Sequence, residues 1–464
     1  MIPLEVGRPK MTVVIRPWRG RPLTGWIKIK IKNMINNNDN LMERVVSLCK
    51  RRGFVFPGSE IYGGFQGFYD FGPLGVEMKN NLKKLWWDWM TKEHDNIVGI
   101  DGAIITNPKV WEASGHVKSF VDPLVECKKC HHRFKADDMT SEKCPDCGGV
   151  LTEPKVFNIL VPTQLGVIEG EKTGAYLRGE ACQTIYLDYK NVLDTSRLKI
   201  PFGICQIGKA FRNEVTPGNF LYRQREFEQW DLQWFCHPDE MEKWFEYWKE
   251  ERMSWYKSIF THPENLGFYK HEKLAHYAKK AFDIEYTASP VGKEMEGIHW
   301  RGDWDLAGHS KYSGQDLSYT DPEIKEKFVP NIVETSGGVD RTFLFLLLDA
   351  YTEEKERIVL KLHPKIAPYK VAVFPLLRNK PQLVEKAKEI YEDLRKELNV
   401  VWDDRGNIGK RYYSQDEIGT PYCVTVDFDS LEDKAVTVRD RDTMKQERIS
   451  ISELKSYLRD KFSK

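Results

Sequence analysis

The chain has 464 residues, with 70 Lys and Arg against 69 Asp and Glu, so its net charge is +1. Hydrophobic residues at 41% and charged residues at 30% exclude general disorder and a collagen-like repeat. The longest wholly apolar run, Phe343–Leu348, falls far short of the ~20 residues a membrane helix needs; the near-zero charge excludes a basic nucleic-acid coat but not a local basic patch.

Residues 1–33 carry eight Lys and Arg and one acid, Glu5. An Arg-rich, acid-poor start suits an organelle transit peptide, but the stretch has no Ser and its IKIKIK alternates like a strand. The expectation is a non-native or over-extended N-terminus, with the body starting near Met34 or Met42. From Leu74 to Met90 apolar residues recur at helical spacing after Gly72-Pro73, a helix-start signal.

Cys127-x2-Cys130 and Cys144-x2-Cys147 are two pairs separated by thirteen residues. Each pair can turn two thiolates toward one tetrahedral centre. Four thiolates leave no open position for a catalytic water, so the expected Zn2+ is structural. His131 and His132 beside Cys130 are alternative ligands. The other cysteines (Cys49, Cys182, Cys205, Cys236, Cys423) stand alone, too sparse for a disulfide scaffold, and predict a reducing, cytoplasmic compartment.

Residues 202–235 read as a hairpin. One arm ends in Arg212 and Glu214, TPGN is the turn, and Arg223, Arg225, Glu226 and Glu228 lie on the other arm. Facing charges on one hairpin need partners or a charged ligand; taken alone they fit a solvated ladder of ion pairs equally well. Residues 239–259 predict a helix whose Trp and Tyr stripe packs a core. A strand-like run then leads to Glu334, followed by Gly337-Gly338 and Arg341 at the start of a helix apolar on most sides (340–351). After the prolines of 361–370 the pattern changes to strand (371–376), amphipathic helix (381–398) and strands (422–428, 435–440), a compact α/β unit. The basic and aromatic residues Arg405, Lys410, Arg411, Tyr412 and Tyr413, with Arg439 and Arg441, suit contact with unpaired bases.

FRNE and REFEQ resemble motif 2 of the class II aminoacyl-tRNA synthetases, GGVDR resembles motif 3, and FGPLGVEMKNNLKKLWWDWM resembles motif 1 with Pro73 as its proline. More narrowly, RGFVFPGSEIYGGFQGFYDFGPLG, NPKVWEASGHVKSFVDPLVECKKC, PFGICQIGKAFRNEVTPGNF and IGTPYCVTVDFDSLEDKAVTVRDRD resemble the homodimeric glycyl-tRNA synthetase family over residues 42–464. The resemblance implies an α+β fold. A class II catalytic domain (34–362), an antiparallel sheet flanked by helices with a zinc-binding insertion at 125–155, precedes a C-terminal α/β anticodon-binding domain (363–464). It implies a glycine–tRNA ligase that forms glycyl-adenylate from glycine and ATP with Mg2+, then transfers glycyl to the 3′ end of tRNA(Gly). A homodimer is implied, with FGPLGVEMKNN at the contact, and no membrane partner.

By family position, Arg212 and Arg341 are the catalytic cations. ATP is implied to meet Arg212, Asn213, Glu214, Tyr222, Arg223, Gln224, Arg225, Glu226, Phe227, Glu294, Met295, Gly338, Val339, Asp340 and Arg341. Within that set Phe227 and Arg341 sandwich adenine, Arg223 and Arg225 serve the γ-phosphate, and Glu294 helps hold Mg2+. Glycine is implied to meet Lys135, Glu180, Phe227, Glu228, Gln229, Trp230, Asp231, Glu334, Thr335, Ser336, Gly337 and Gly338. Glu180, Glu228 and Glu334 would grip its ammonium while Ser336 crowds the α-carbon. One stretch departs from the family, which has Arg-Pro-Glu-Thr-Ala-Gln-Gly where this chain has Arg178-Gly179-Glu180-Ala181-Cys182-Gln183-Thr184. The change predicts a more flexible strand and an altered back wall. Two rival readings are a non-catalytic relative such as the accessory subunit of mitochondrial DNA polymerase, and a synthetase for serine, threonine or proline. Arg212 and Arg341 disfavour the first, and the carboxylate set disfavours the second.

Overall fold

The computed structural model describes residues 37–463 apart from 137, 138, 140, 169, 273, 276 and 324. The basic segment 1–33 lies outside the described residues. Helices α1 (Asn37–Arg52) and α2 (Pro73–Lys92) lead the chain. Pro73 is tolerated at the first turn of α2 because the N–H it lacks has no intrahelical partner there.

The central sheet has seven strands: β1 (Ile97–Gly99), β2 (Phe202–Phe211), β3 (Glu226–Cys236), β4 (Leu266–Lys270), β5 (Lys280–Tyr286), β6 (Glu294–Gly302) and β7 (Asn331–Gly338). Their spatial order is β4-β5-β6-β7-β3-β2-β1. All neighbours are antiparallel except β1, which runs parallel to β2. The predicted hairpin is β2 and β3, in register from Phe202 opposite Phe235 to Phe211 opposite Glu226, but Arg212, Glu214, Arg223 and Arg225 lie in the connection 212–225 rather than on its arms, and TPGN is only part of that connection.

Successive strand residues face opposite sides of a sheet. On β3, Trp230, Leu232 and Trp234 face a helical layer. Trp230 stacks on Trp86 of α2 at 5.7 Å and meets Trp255 edge-on at 5.5 Å. Trp255 belongs to α4 (Met241–Ile259), between α3 (Cys182–Ser196) and α5 (Trp304–Ser313) in the chain. The aromatic stripe of α4 is core, as its spacing predicts. Helix α6 (Val339–Ala350) is buried along almost its whole length. Under this layer Arg252 and Glu296, both fully buried, pair at 2.6 Å, and Glu296 also accepts from Trp230 Nε1 and Tyr256 Oη, each at 2.9 Å.

A three-stranded sheet of Val121–Glu126, Arg133–Lys135 and Lys155–Asn158 carries the cysteine knuckles. Past residues 361–370 comes a second sheet of β8 (Val371–Pro375), β9 (Val400–Trp402), β10 (Tyr422–Val426), β11 (Ala435–Asp440) and β12 (Gln446–Ser450), ordered β9-β8-β10-β11-β12. Helix α7 (Pro381–Leu394) buries Leu383, Ala387, Ile390 and Leu394 against it, and α8 (Ile408–Ile418) precedes β10. The connection is tied down by Lys370, whose Nζ donates to the carbonyls of Pro364, Lys365 and Ala367 at 2.7–2.9 Å.

Candidate active site

The face of the central sheet away from α2 and α4 floors a cavity of about 550 Å3. At one end lie Arg212, the residue after β2, and Phe227 of β3, and Arg212 donates from Nε to Gly179 O at 3.0 Å. Its guanidinium lies over the rings of Phe120 and Phe227 at 5.0 and 5.2 Å. Arg341, in the first turn of α6, donates from Nε to Tyr222 O at 3.0 Å and lies 4.6 Å from the Tyr222 ring centroid. Its Nη1 meets Glu294 Oε1 at 2.9 Å. The Arg341 charge holds the Glu294 carboxyl below its ordinary value against the effect of burial. Asp283 also lines this end, 2.8 Å from His271 Nε2, and burial reinforced by the Glu294 charge pushes it up to about 6.

The other end is lined by carboxylates. Glu180 precedes α3 and receives three groups on one oxygen, Oε1: His116 Nε2 at 3.0 Å, the Cys182 thiol at 2.9 Å and Gln183 Nε2 at 3.1 Å. Burial opposes its charge, yet His116 holds its carboxyl well below the ordinary range. Asp231 is fully buried, accepts from Ser336 Oγ at 3.0 Å and is pushed well up by burial and the nearby Glu334 charge. Glu334 takes Arg301 Nη1 at 3.0 Å and His299 Nδ1 at 2.6 Å. Cys182 Sγ and carboxylate oxygens of Asp231 and Glu334 lie within 4.8 Å of one another. A cluster of buried acids lining a cavity suits a small ammonium.

Of the expected residues, Arg212, Glu214, Tyr222, Arg223, Gln224, Phe227, Gln229, Asp231, Glu294, Met295, Glu180, Glu334, Ser336, Gly337, Gly338, Asp340 and Arg341 line this cavity. Asn213 and Arg225 line a neighbouring groove of about 480 Å3 beside Arg133 and Lys155. Arg225 is spent on the carbonyls of Glu214 and Gln66. Glu226 pairs with Lys209 at 2.9 Å, and Lys135 pairs with Asp122 at 2.6 Å. Trp230, Thr335 and Val339 are fully buried outside the lining.

Glu228 borders the cavity, but its carboxylate goes to Lys79 and Lys83 of α2, at 2.9 Å each. Strand parity carries that result: with Phe227 toward the cavity, Gln229 and Asp231 share its side and Glu228 turns to the helices. The acids gathered here are therefore Glu180, Asp231 and Glu334. The same alternation, applied to the sequence, finds Asp231. No quoted motif contains Asp283, His299 or Arg301, and His116, though inside the NPKVWEASGHVKSF stretch, carries no sign there of its partner Glu180.

The altered stretch 178–184 brings its own hydrogen bonds. Ala181 N–H donates to Gln229 Oε1 at 3.0 Å, and Gln206 Nε2 donates to Thr184 Oγ1 at 2.7 Å. Thr184 fits because residue 102 is Gly; a Cβ there would collide with the Thr184 hydroxyl. Residues 178–181 lead from the strand that ends at Leu177 into α3 and are not themselves the strand that the sequence suggests.

The four knuckle thiols converge within 4.8 Å, with Cys127 and Cys147 Sγ 3.5 Å apart and Cys130 and Cys144 Sγ 3.7 Å apart. A tetrahedron with 2.3 Å metal–sulfur bonds has edges of about 3.8 Å, so the set fits zinc. His131 and His132 turn instead to Glu126 and Asp146, at 3.2 and 2.6 Å.

In the C-terminal unit, Arg411 donates to the carbonyls of Pro375, Arg405 and Gly406. Arg439 pairs with Asp416 at 2.8 Å, and Arg441 pairs with Asp442 at 2.8 Å. These three arginines are buried structural groups. Arg405, Lys410 and Tyr413 remain exposed.

Motif-bearing antiparallel strands that bring two arginines over one cavity, ahead of a separate α/β unit, define a class II aminoacyl-tRNA synthetase. Family models agree: residues 167–351 match the tRNA synthetase class II core domain (G, H, P, S and T), and residues 370–461 match the anticodon binding domain. The chain is 50% identical over 454 residues to a glycine–tRNA ligase of Thermobifida fusca (strain YX), covering 91% of this chain and 98% of that relative. It is 50% identical to those of Borreliella burgdorferi (strain ATCC 35210) and Streptomyces coelicolor, each covering 90% of this chain and 97% of the relative. The chain belongs to the glycine–tRNA ligase family.

Proposed function

We propose that this chain activates glycine with ATP and esterifies tRNA(Gly) with it. The supporting observation is that one cavity gathers the guanidiniums of Arg212 and Arg341 and the acids Glu180, Asp231 and Glu334. The ammonium of glycine sits among the acids, so its carboxylate points toward Arg212. A carboxylate oxygen attacks the α-phosphorus, the bond to the pyrophosphate oxygen breaks, and glycyl-adenylate forms. The terminal adenosine 3′-hydroxyl then attacks the glycyl carbonyl, and AMP leaves. The charge that develops at phosphorus is met by Arg212, whose planar donors suit phosphate oxygens. Arg341 and Phe227 flank the adenine. Mg2+, when bound with ATP, neutralises phosphate charge, and Glu294 is the carboxylate offered to it.

Glycine has no side chain to hold. Selectivity works by crowding at the α-carbon, where Ser336 is fixed between Asp231 and Gln229 Nε2 at 3.0 and 2.5 Å. An added methyl meets that wall. Amino-acid-dependent pyrophosphate exchange across a panel of amino acids tests the reading; exchange with glycine alone supports it, and none with glycine overturns it.

The remaining assignments belong to the same proposal. The catalytic unit runs from 34 to 362 and the anticodon-binding unit from 363 to 464. Zinc at the four thiols holds the knuckle sheet together. Exposed Arg405, Lys410 and Tyr413 offer charge and a stacking ring to unpaired anticodon bases. The protein is cytoplasmic, where the five cysteines outside the knuckles persist as thiols. Among the described residues no helix is long and apolar enough to cross a membrane. A homodimer is supported by Ile61, Tyr62 and Phe65, exposed at 88%, 89% and 75% in the segment that precedes α2 in the chain; sedimentation as a monomer at micromolar concentration overturns it.

A further inference from the structure

Lys79 has no counterpart among the expected site residues. It lies on the buried side of α2, beside Met78 and Leu82, and is only 5% exposed. Its Nζ is 2.5 Å from Asp340 Oδ1, 2.9 Å from Glu228 Oε2 and 4.0 Å from the Phe71 ring centroid. The second oxygen of Asp340 accepts from the Glu228 backbone N–H at 2.8 Å. Lys83, one turn along α2, closes the group by meeting Glu228 Oε1 at 2.9 Å. Two carboxylates and two ammoniums thus join three segments distant in sequence.

Buried ion pairs are poor sources of stability, because desolvation consumes the Coulombic gain. What this one fixes is position. Asp340 immediately precedes Arg341, and Glu228 immediately follows Phe227. Asp340 is held from two directions, by an ammonium and by the β3 backbone. The spacing between the start of β3 and the first turn of α6 is therefore set by a hydrogen-bonded polar group rather than by apolar packing that can slide.

We propose that Lys79 is a positioning residue for the nucleotide site, acting through Asp340 and Glu228 to hold Arg341 and Phe227 at the separation that receives the adenine ring. This rests on the proposed ATP-dependent function. It also assigns Glu228 to the nucleotide end of the cavity, whereas family position assigns it to the glycine ammonium.

The test uses the full-length protein with Lys79→Met, Lys79→Arg and Glu228→Gln. ATP and glycine are varied separately in pyrophosphate exchange, and ATP binding is measured by calorimetry without glycine. Lys79→Met is expected to weaken ATP by about tenfold or more, the scale of a small misplacement of a binding group, with glycine KM within about twofold. Lys79→Arg restores part of that loss, which simple loss of folded protein would not allow. Glu228→Gln shifts the ATP parameters in the same direction. A folded Lys79→Met with unchanged ATP affinity and turnover overturns the proposal, as does a Glu228→Gln whose only change is a raised glycine KM. Should Lys79→Met not fold, Lys79→Arg and Glu228→Gln decide on the same criteria. Wild-type protein that binds ATP but shows no glycine-dependent exchange overturns the function alone, because the binding arm still reads the lock.

Discussion

Arg301 and Glu334 face each other with Nη1 3.0 Å from both carboxylate oxygens, while Arg301 Nε reaches Asp305 Oδ2 at 2.7 Å. All three side chains are at most 3% exposed, and the guanidinium lies 3.7 Å from the Tyr277 ring centroid. Removing the cation strands two buried acids. Arg301→Met should destabilise the fold by about 3–5 kcal/mol, read from urea unfolding; a loss under about 1 kcal/mol contradicts the pairing.

Acid sensitivity follows from the same pair. Burial alone would raise the Glu334 carboxyl, but Arg301 and His299 bring it down from 4.5 to about 2. A carboxyl with a lower value folded than unfolded contributes stability that is complete above its unfolded value and lost as pH falls toward the folded one. Stability should therefore drop from about pH 5 downward, and Glu334→Gln, though less stable at neutral pH, should show a shallower drop. Parallel acid limbs for the two proteins would remove Glu334 as a cause.

Glu180 tests the ammonium grip. A hydrogen bond to a charged group contributes about 1.5–3 kcal/mol. Glu180→Gln should then raise glycine KM by about tenfold to a hundredfold and ATP KM much less. Equal effects on both substrates would remove it from that role.

Gly337 lies where no side chain fits. An added Cβ would be 2.7 Å from Glu296 Oε2 and closer still to Trp230 Nε1. Both neighbours are fully buried, so they cannot yield. Gly337→Ala should lose at least about 1–3 kcal/mol and most glycine-dependent exchange; a variant with wild-type melting temperature and activity would show that the floor of the site is soft.

The knuckle predicts one zinc per chain by elemental analysis. Cys144→Ser should abolish stoichiometric zinc and expose the sheet around Val121–Glu126 to protease. Full zinc retention would mean that the four sulfurs are not the ligand set.

Much was legible along the chain because it depends on near neighbours. Pro73 after Gly72 starts a helix by its missing N–H, and two Cys-x2-Cys pairs curl into knuckles by local hydrogen bonding to sulfur; the hairpin was legible but its turn was not, because residues 212–225 rather than TPGN alone join β2 to β3. The aromatic stripe of α4 is core because its 3.6-residue period permits one buried face. The class of enzyme was legible too, through motifs that are each short and contiguous.

What only the tertiary structure decided is which charge meets which. Glu228 and Asp231 are both acids on one strand, but sheet packing turns one to the lysines of α2 and the other to the cavity. Arg411, Arg439 and Arg441 look like a basic surface in sequence and are buried partners of carbonyls and carboxylates in the fold. Charge pairing acts through space over a few ångströms. Residues hundreds of positions apart, such as Lys79 and Asp340, become partners only once the sheet has brought their helices together.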